Sequence, residues 1–328
     1  MSYDVDVILP THREGGYLIR SIESILKSEG VKTRLIIVDD RLDQTKKMNF
    51  DDKDEILVVS TGGGTGYNNA ILVGIREATA GFVAFQDSDD ISHPQRLKKE
   101  IDALIDMDAD IAYCKMQSIN SKDMKLFHYL RNVREPDFLG YCLLLGSYGA
   151  NSTWVIRDTA LKMVDFKRAE QSFDWAIAMK DLVGLQIVYC HEPLYFYRKH
   201  EGQMTRDHKY INKSLSEIYQ IWSVLNKKMG LPHLGYPDFD ALVNPWKRSD
   251  LSSKAIEWLE YFDTEIKKQE TSNLLFYKII YLRIFTKAKN KTKLKMLRSF
   301  RRILLEASLY ILLSLVGHIF TKERKIHV

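Results

Sequence analysis

The residues best suited to chemistry fall in a few short polar groups, and the sharpest is Gln86-Asp87-Ser88-Asp89-Asp90. Asp87 and Asp89 can jointly serve a hard divalent cation, Mn2+ or Mg2+, whose other ligands are phosphate oxygens and water. Such a cation neutralises charge on a departing diphosphate. The same residues also read as an acidic turn that caps a helix opening near Pro94. Asp40, in Asp39-Asp40, is either an ordinary turn residue or an acceptor for the imide N–H of a uracil ring. Pro10-Thr11-His12-Arg13-Glu14 forms a further polar group. Asp174 stands in Ser172-Phe173-Asp174-Trp175. A carboxylate beside aromatic rings is partly desolvated and gains basicity, as a general base requires; at a helix start it equally serves the helix dipole. In Tyr195-Phe196-Tyr197-Arg198-Lys199-His200, Arg198 and His200 would approach a polyanion if this loop folds back. His200 reads as a metal ligand or as a phosphate or backbone partner. Gly62-Gly63-Gly64-Thr65-Gly66 lacks the Lys-Ser/Thr of a P-loop and the spacing of a dinucleotide fingerprint, so it reads as a place of close backbone approach.

Each of these groups needs an element to hold it. Short apolar runs at 5–9, 35–38, 56–60, 82–85, 111–113 and 186–189 predict strands. Leu18, Ile22, Ile25 and Leu26 share one helical face, and helices are also predicted over 69–78, after Pro94 and from Ser172 through Leu182. Strands alternating with helices imply a parallel sheet covered on both faces, with ligands at the carboxyl ends of the strands. Three of the polar groups directly follow predicted strands, so the pattern predicts one shared crevice. From about residue 209 the pattern becomes helical only, over 215–229, 253–268, 273–289 and 294–320, with a boundary near Asp207.

In this order and spacing the segments VILPTHREGGYLIRSIESIL, LIIVDD, GIREATAGFVAFQDSDD, FDWAIAMKDL and EPLYFYRKHEGQMT resemble the inverting GT-A glycosyltransferases of family 2, a group that makes bacterial surface polysaccharides. The resemblance spans 6–205 and implies a GT-A fold, a Rossmann-like mixed sheet flanked by helices; with the boundary that the helical pattern sets near Asp207, this gives a catalytic domain over 1–207 and a helical C-terminal region over 208–328. It implies a nucleotide-sugar donor, favouring a uridine nucleotide, with a pocket at Pro10, Thr11, His12 and Asp40. Asp89 is implied as the direct metal ligand, with Asp87 toward the donor ribose. Asp174 matches the general base that deprotonates the acceptor hydroxyl, and Arg198 and His200 match a closing loop over the diphosphate. Two departures stand out. Ile71 and Leu72 replace a basic-Asn pair common in the family, leaving donor contacts on that helix to Asn68 or Asn69, or to neither. Phe173 replaces the Glu usual before the base, which removes a helper carboxylate.

Composition sets the remaining bounds. At 328 residues the chain holds one large α/β domain and an appendage, and a net charge of +5 is too small for a nucleic-acid-binding surface. Cys114, Cys142 and Cys190 form no CxxC pair, which fits a reducing compartment. The N-terminus has no basic region of a signal peptide, so a cytoplasmic protein is expected. Between 287 and 302 lie eight basic residues and no acidic one, followed by fourteen uncharged, mostly apolar residues at 307–320. That apolar stretch is short for a span, and the pair fits a segment lying on an anionic membrane surface at the inner face. Such a placement would suit a lipid-linked glycan acceptor. Nucleic-acid binding and a buried helix with a solvated basic face are the other readings, and the added helices are as suited to a homo-oligomer as to a membrane. A sugar nucleotidyltransferase and an inactive scaffolding relative are the rival functions.

Overall fold

The computed structural model describes residues 2–43, 48, 54–126, 150–163, 185–204, 208–243 and 251–267. Described residues through Gln203 form one compact unit and those from Met204 form a second.

The first unit is built on an eight-stranded sheet ordered β3-β2-β1-β4-β7-β6-β8-β5. β1 (Val5–Thr11), β2 (Thr33–Asp39), β3 (Ile56–Ser60) and β4 (Phe82–Phe85) run parallel. β1 is buried at every position, as a central strand covered on both faces must be. The remaining strands mix the directions. β7 (Trp154–Arg157) is antiparallel to both β4 and β6 (Ile111–Ile119), β6 is parallel to β8 (Ile187–Arg198), and β5 (Ile91–Ser92) is antiparallel to β8. Chain order reverses between β1 and β4, the kind of switch point at which such sheets bind ligands.

The described residues of this unit also form helices α1 (Gly16–Leu26), α2 (Tyr67–Glu77) and α3 (Arg96–Asp106) and the short α4 (Asp158–Leu161). α1 buries Leu18, Ile22 and Ile25, the face its sequence spacing predicts. α2 lies so close to β1 that a Cβ at Gly74 would stand 2.4 Å from Ile8 Cγ2.

Two strands are longer than their apolar runs indicate. β6 continues to Ile119, and β8 continues to Arg198 where the sequence predicts a loop. The reason is a bulge: Cys114 pairs with Cys190 but Lys115 pairs with Pro193, so His191 and Glu192 are absorbed without ending the strand. A His-Glu-Pro stretch looks like a turn in sequence because Pro cannot donate to the ladder.

The second unit contains α5 (His208–Lys228), α6 (Tyr236–Val243) and α7 (Ser253–Lys267). Trp222, Phe239, Trp258 and Phe262 form its aromatic centre. Asn226 is buried among them with its amide fully engaged: Trp258 Nε1 donates to Oδ1 at 2.7 Å, and Nδ2 donates to the carbonyl of Pro232 at 2.8 Å. The helices expected over 273–289 and 294–320 lie outside the described residues.

Candidate active site

β1, β2 and β4 end on the same side of the sheet, with Thr11 paired to Asp39 and Ile8 to Phe85. Their following loops therefore meet, as the sequence pattern predicts. The loop after β4 rests on a buried base. Arg96, fully buried on α3, donates to Glu100 at 3.0 Å, to Gln86 Oε1 at 3.2 Å and to the Phe85 carbonyl at 3.1 Å. Its guanidinium lies 4.9 Å from the Tyr195 ring centroid. Burial pushes the Glu100 carboxyl up to about 7 against the opposing pull of Arg96. Removing one partner of a buried ion pair strands the other charge. Arg96→Met is therefore expected to lower stability by about 3 kcal/mol in urea unfolding, and pairing it with Glu100→Leu should recover most of that loss.

The fold gives the three aspartates of this loop three different surroundings. Asp90 is fully buried and accepts the Arg198 amide at 2.7 Å, tying the loop to β8. Burial, then the charges of Asp89 and Asp87, hold its carboxyl well above the usual range. Asp87 accepts the Tyr67 hydroxyl on Oδ1 at 3.0 Å, and burial followed by the Asp89 charge pushes it up to about 6. The Asp87 carbonyl accepts Ser21 Oγ from α1 at 2.8 Å, and its amide donates to the Tyr195 hydroxyl at 3.2 Å. Asp89 keeps its side chain 22% exposed, with Oδ2 2.8 Å from His200 Nε2.

His200 thus reaches the acidic loop from the segment after β8, and its ring packs 5.1 Å from Tyr17. Arg13, after β1, holds the same segment by donating to the Gly202 carbonyl at 3.1 Å. Arg198 is placed differently from the expectation that it covers a diphosphate. It is the last residue of β8, fully buried, and donates through Nε to the Asp89 carbonyl at 2.7 Å and through Nη1 to Asn120 and Asp123. Its guanidinium packs 4.5 Å from the Tyr17 ring. Because β8 extends past its bulge, Arg198 reaches and holds the main chain of Asp89.

Of the other residues singled out by the sequence, Pro10 and Thr11 are buried in β1, and Asn68 is buried in the first turn of α2. His12 is exposed at the end of β1. Partial desolvation and Arg13 hold its imidazole below the ordinary value, while Asp89 and Asp40 pull it upward, so these groups share one electrostatic neighbourhood. Asp40 has a task that the sequence does not reveal. It accepts Thr61 Oγ1 at 2.5 Å, Thr65 N and Oγ1 at 2.7 and 2.8 Å, and Gly66 N at 2.9 Å. Burial opposes its charge, yet these hydrogen bonds hold its carboxyl below the usual range. The remaining amides of the glycine run are also engaged locally: Gly62 to Ser60, Gly63 to Thr61 and Gly64 to the Asp40 carbonyl. Amides used this way cannot also cradle a phosphate. Gly63, at φ 99°, leaves no room for a side chain, since a Cβ would lie 2.7 Å from the Arg41 carbonyl oxygen.

Among the described residues no three His, Cys, Asp or Glu side chains cluster as a closed metal site. A carboxylate oxygen and an imidazole nitrogen that reach solvent together instead suit a cation whose remaining ligands come from a bound phosphate and water. Asp174 lies outside the described residues. Sequence reasoning missed Tyr67, Ser21 and Arg96; for Tyr67 a signal existed, since it stands one helical turn before Ile71, where the family's basic residue is expected.

The curled mixed sheet with an acidic loop at its switch point is the GT-A architecture. The family model of glycosyl transferase family 2 matches residues 6–164 of the chain. It is 25% identical over 251 residues to the glycosyltransferase GlyG of Streptococcus pneumoniae, covering 70% of this chain and 80% of that one. It is 24% identical over 229 residues to WfgD of Escherichia coli, a UDP-Glc:α-D-GlcNAc-diphosphoundecaprenol β-1,3-glucosyltransferase, covering 68% and 85%. The crystal structure of Staphylococcus aureus TarS residues 1–349 with UDP-GlcNAc shares the fold at a TM-score of 0.51 and 16% identity, covering 89% of this chain and 83% of that one.

Proposed function

We propose that this protein is an inverting, metal-dependent glycosyltransferase that moves a sugar from a nucleotide-sugar, a UDP-sugar by preference, to a hydroxyl of a glycan or lipid-linked glycan. The observation that carries this reading is the partly exposed Asp89 carboxylate, 2.8 Å from His200, in the neighbourhood of His12 at the strand-order switch. Asp89, with His200 beside it, would hold Mn2+ or Mg2+, which when bound neutralises the diphosphate as it leaves. Asp87 faces the donor ribose, and His12 and Thr11 line the nucleotide pocket. Asp40 acts by fixing the glycine loop, and Arg198 by holding the Asp89 main chain. Asp174 takes the acceptor proton, and a single displacement inverts the anomeric configuration. The names of the relatives support a nucleotide-sugar donor, since WfgD is named for UDP-Glc and TarS was crystallised with UDP-GlcNAc.

A panel of nucleotide-sugars with manganese, scored for metal-dependent hydrolysis, tests this without an acceptor. Release of a nucleoside diphosphate from at least one donor is expected. Pyrophosphate from a nucleoside triphosphate and a sugar phosphate would instead establish the rival nucleotidyltransferase, and no turnover with any donor would leave the scaffolding reading.

The basic run and apolar stretch of 287–320 support a peripheral position on the inner face of the plasma membrane. No helix among the described residues is long and apolar enough to cross a membrane. Deleting the residues after Lys291 is expected to abolish sedimentation with vesicles containing phosphatidylserine. Undiminished sedimentation would defeat the assignment.

A further inference from the structure

The family resemblance leads one to expect polar donor contacts from positions 71 and 72 of α2. Ile71 is instead fully buried and apolar. Residues four apart share a helical face, and one turn earlier the same helix presents Tyr67. Its hydroxyl donates to Asp87 Oδ1 at 3.0 Å and accepts Asn151 Nδ2 at 2.8 Å. Asn151 is 9% exposed and sits in the turn Asn151–Thr153 that leads into β7. Tyr67 directly follows Gly66, whose amide is pinned by Asp40 at 2.9 Å. The chain of contacts therefore runs from the end of β2 through the glycine loop to the first turn of α2, then to the acidic loop and the entry to β7.

A hydroxyl placed between an amide donor and a carboxylate has its proton direction fixed. Asn151 occupies an acceptor site of the Tyr67 oxygen, so the single O–H points to Asp87. With one oxygen held, the Asp87 carboxylate cannot rotate freely about its Cβ–Cγ bond. We propose that Tyr67, oriented by Asn151, is a positioning residue that presents the Asp87 carboxylate to the ribose of the bound nucleotide. This inference rests on the donor reading given above. Tyr67 touches no reacting atom in this scheme; it acts through Asp87 on donor binding and leaves the chemical step alone.

The test is titration calorimetry of UDP with manganese, together with donor-hydrolysis kinetics, on wild type, Tyr67→Phe, Asn151→Ala and the double variant. Tyr67→Phe keeps the ring and removes one hydrogen bond to a charged group, so UDP should bind about 10-fold more weakly. The donor KM should rise correspondingly, with kcat within about twofold of wild type. Asn151→Ala should weaken binding by about threefold alone and add little to Tyr67→Phe, because both act through one contact. If wild type binds UDP and Tyr67→Phe binds it equally well, the positioning role is overturned while the donor reading stands. A fall in kcat at constant KM, or additive effects of the two substitutions, also overturns it. Failure of wild type to bind any nucleoside diphosphate overturns the donor reading and this inference with it.

Discussion

Asp89→Asn is expected to lower metal-dependent donor turnover by about 1,000-fold with little change in thermal stability. The first half follows from the charge a metal must neutralise. Polarising a phosphoryl oxygen contributes several kcal/mol to the transition state, and each 1.4 kcal/mol is tenfold in rate. The second half follows from the contacts. The Asp89 side chain is 22% exposed and meets His200, whereas Arg198 holds its main-chain carbonyl, a contact the substitution keeps. His200→Ala should shift the manganese half-saturation upward by a smaller factor, since it removes one neutral donor and keeps the carboxylate. Turnover is checked against manganese concentration for each variant. An Asp89→Asn enzyme with more than a tenth of wild-type turnover at saturating metal would remove Asp89 from the metal site.

Asp174→Asn is expected to lower sugar transfer by about 100- to 10,000-fold, the span that a positioned general base contributes. The amide keeps the size and removes the ability to take a proton. Nucleotide binding is the control, because Asp174 is assigned to the acceptor side. UDP affinity with manganese should stay within about twofold of wild type while transfer collapses. The two variants therefore separate the two halves of the reaction: Asp89→Asn disables the donor side, and Asp174→Asn leaves it intact. Transfer by Asp174→Asn near the wild-type rate would show that another group deprotonates the acceptor.

The place of Asp89 just after a strand is legible from sequence, and the reason is local. A strand buried on both faces must be a short apolar run, and a polar group directly after it marks where the strand stops, so Phe82–Phe85 followed by Gln86-Asp87-Ser88-Asp89-Asp90 marks a strand end carrying carboxylates. The same holds for β1 with His12 and for β2 with Asp40. The first-half helices are equally local, as the buried Leu18, Ile22 and Ile25 of α1 illustrate. What misled the sequence reading was a place where local chemistry and tertiary pairing disagree. His191-Glu192-Pro193 has the composition of a turn, yet β6 pairs with both sides of it across a register shift and β8 runs on to Arg198. An arginine expected in an outer loop is therefore a buried strut.

The sequence alone determined the kind of fold, the side of the sheet on which chemistry gathers and the residue types available there, because periodicity and strand-end polarity are written within a few neighbouring positions. Which of the three aspartates in Asp87-Ser88-Asp89-Asp90 is buried, held or partly open was decided by the tertiary structure. Arg198 arrives at Asp89 from 109 positions away and Tyr67 at Asp87 from 20. The protonation, orientation and reach of a carboxylate depend on such partners, and no spacing within the chain records them.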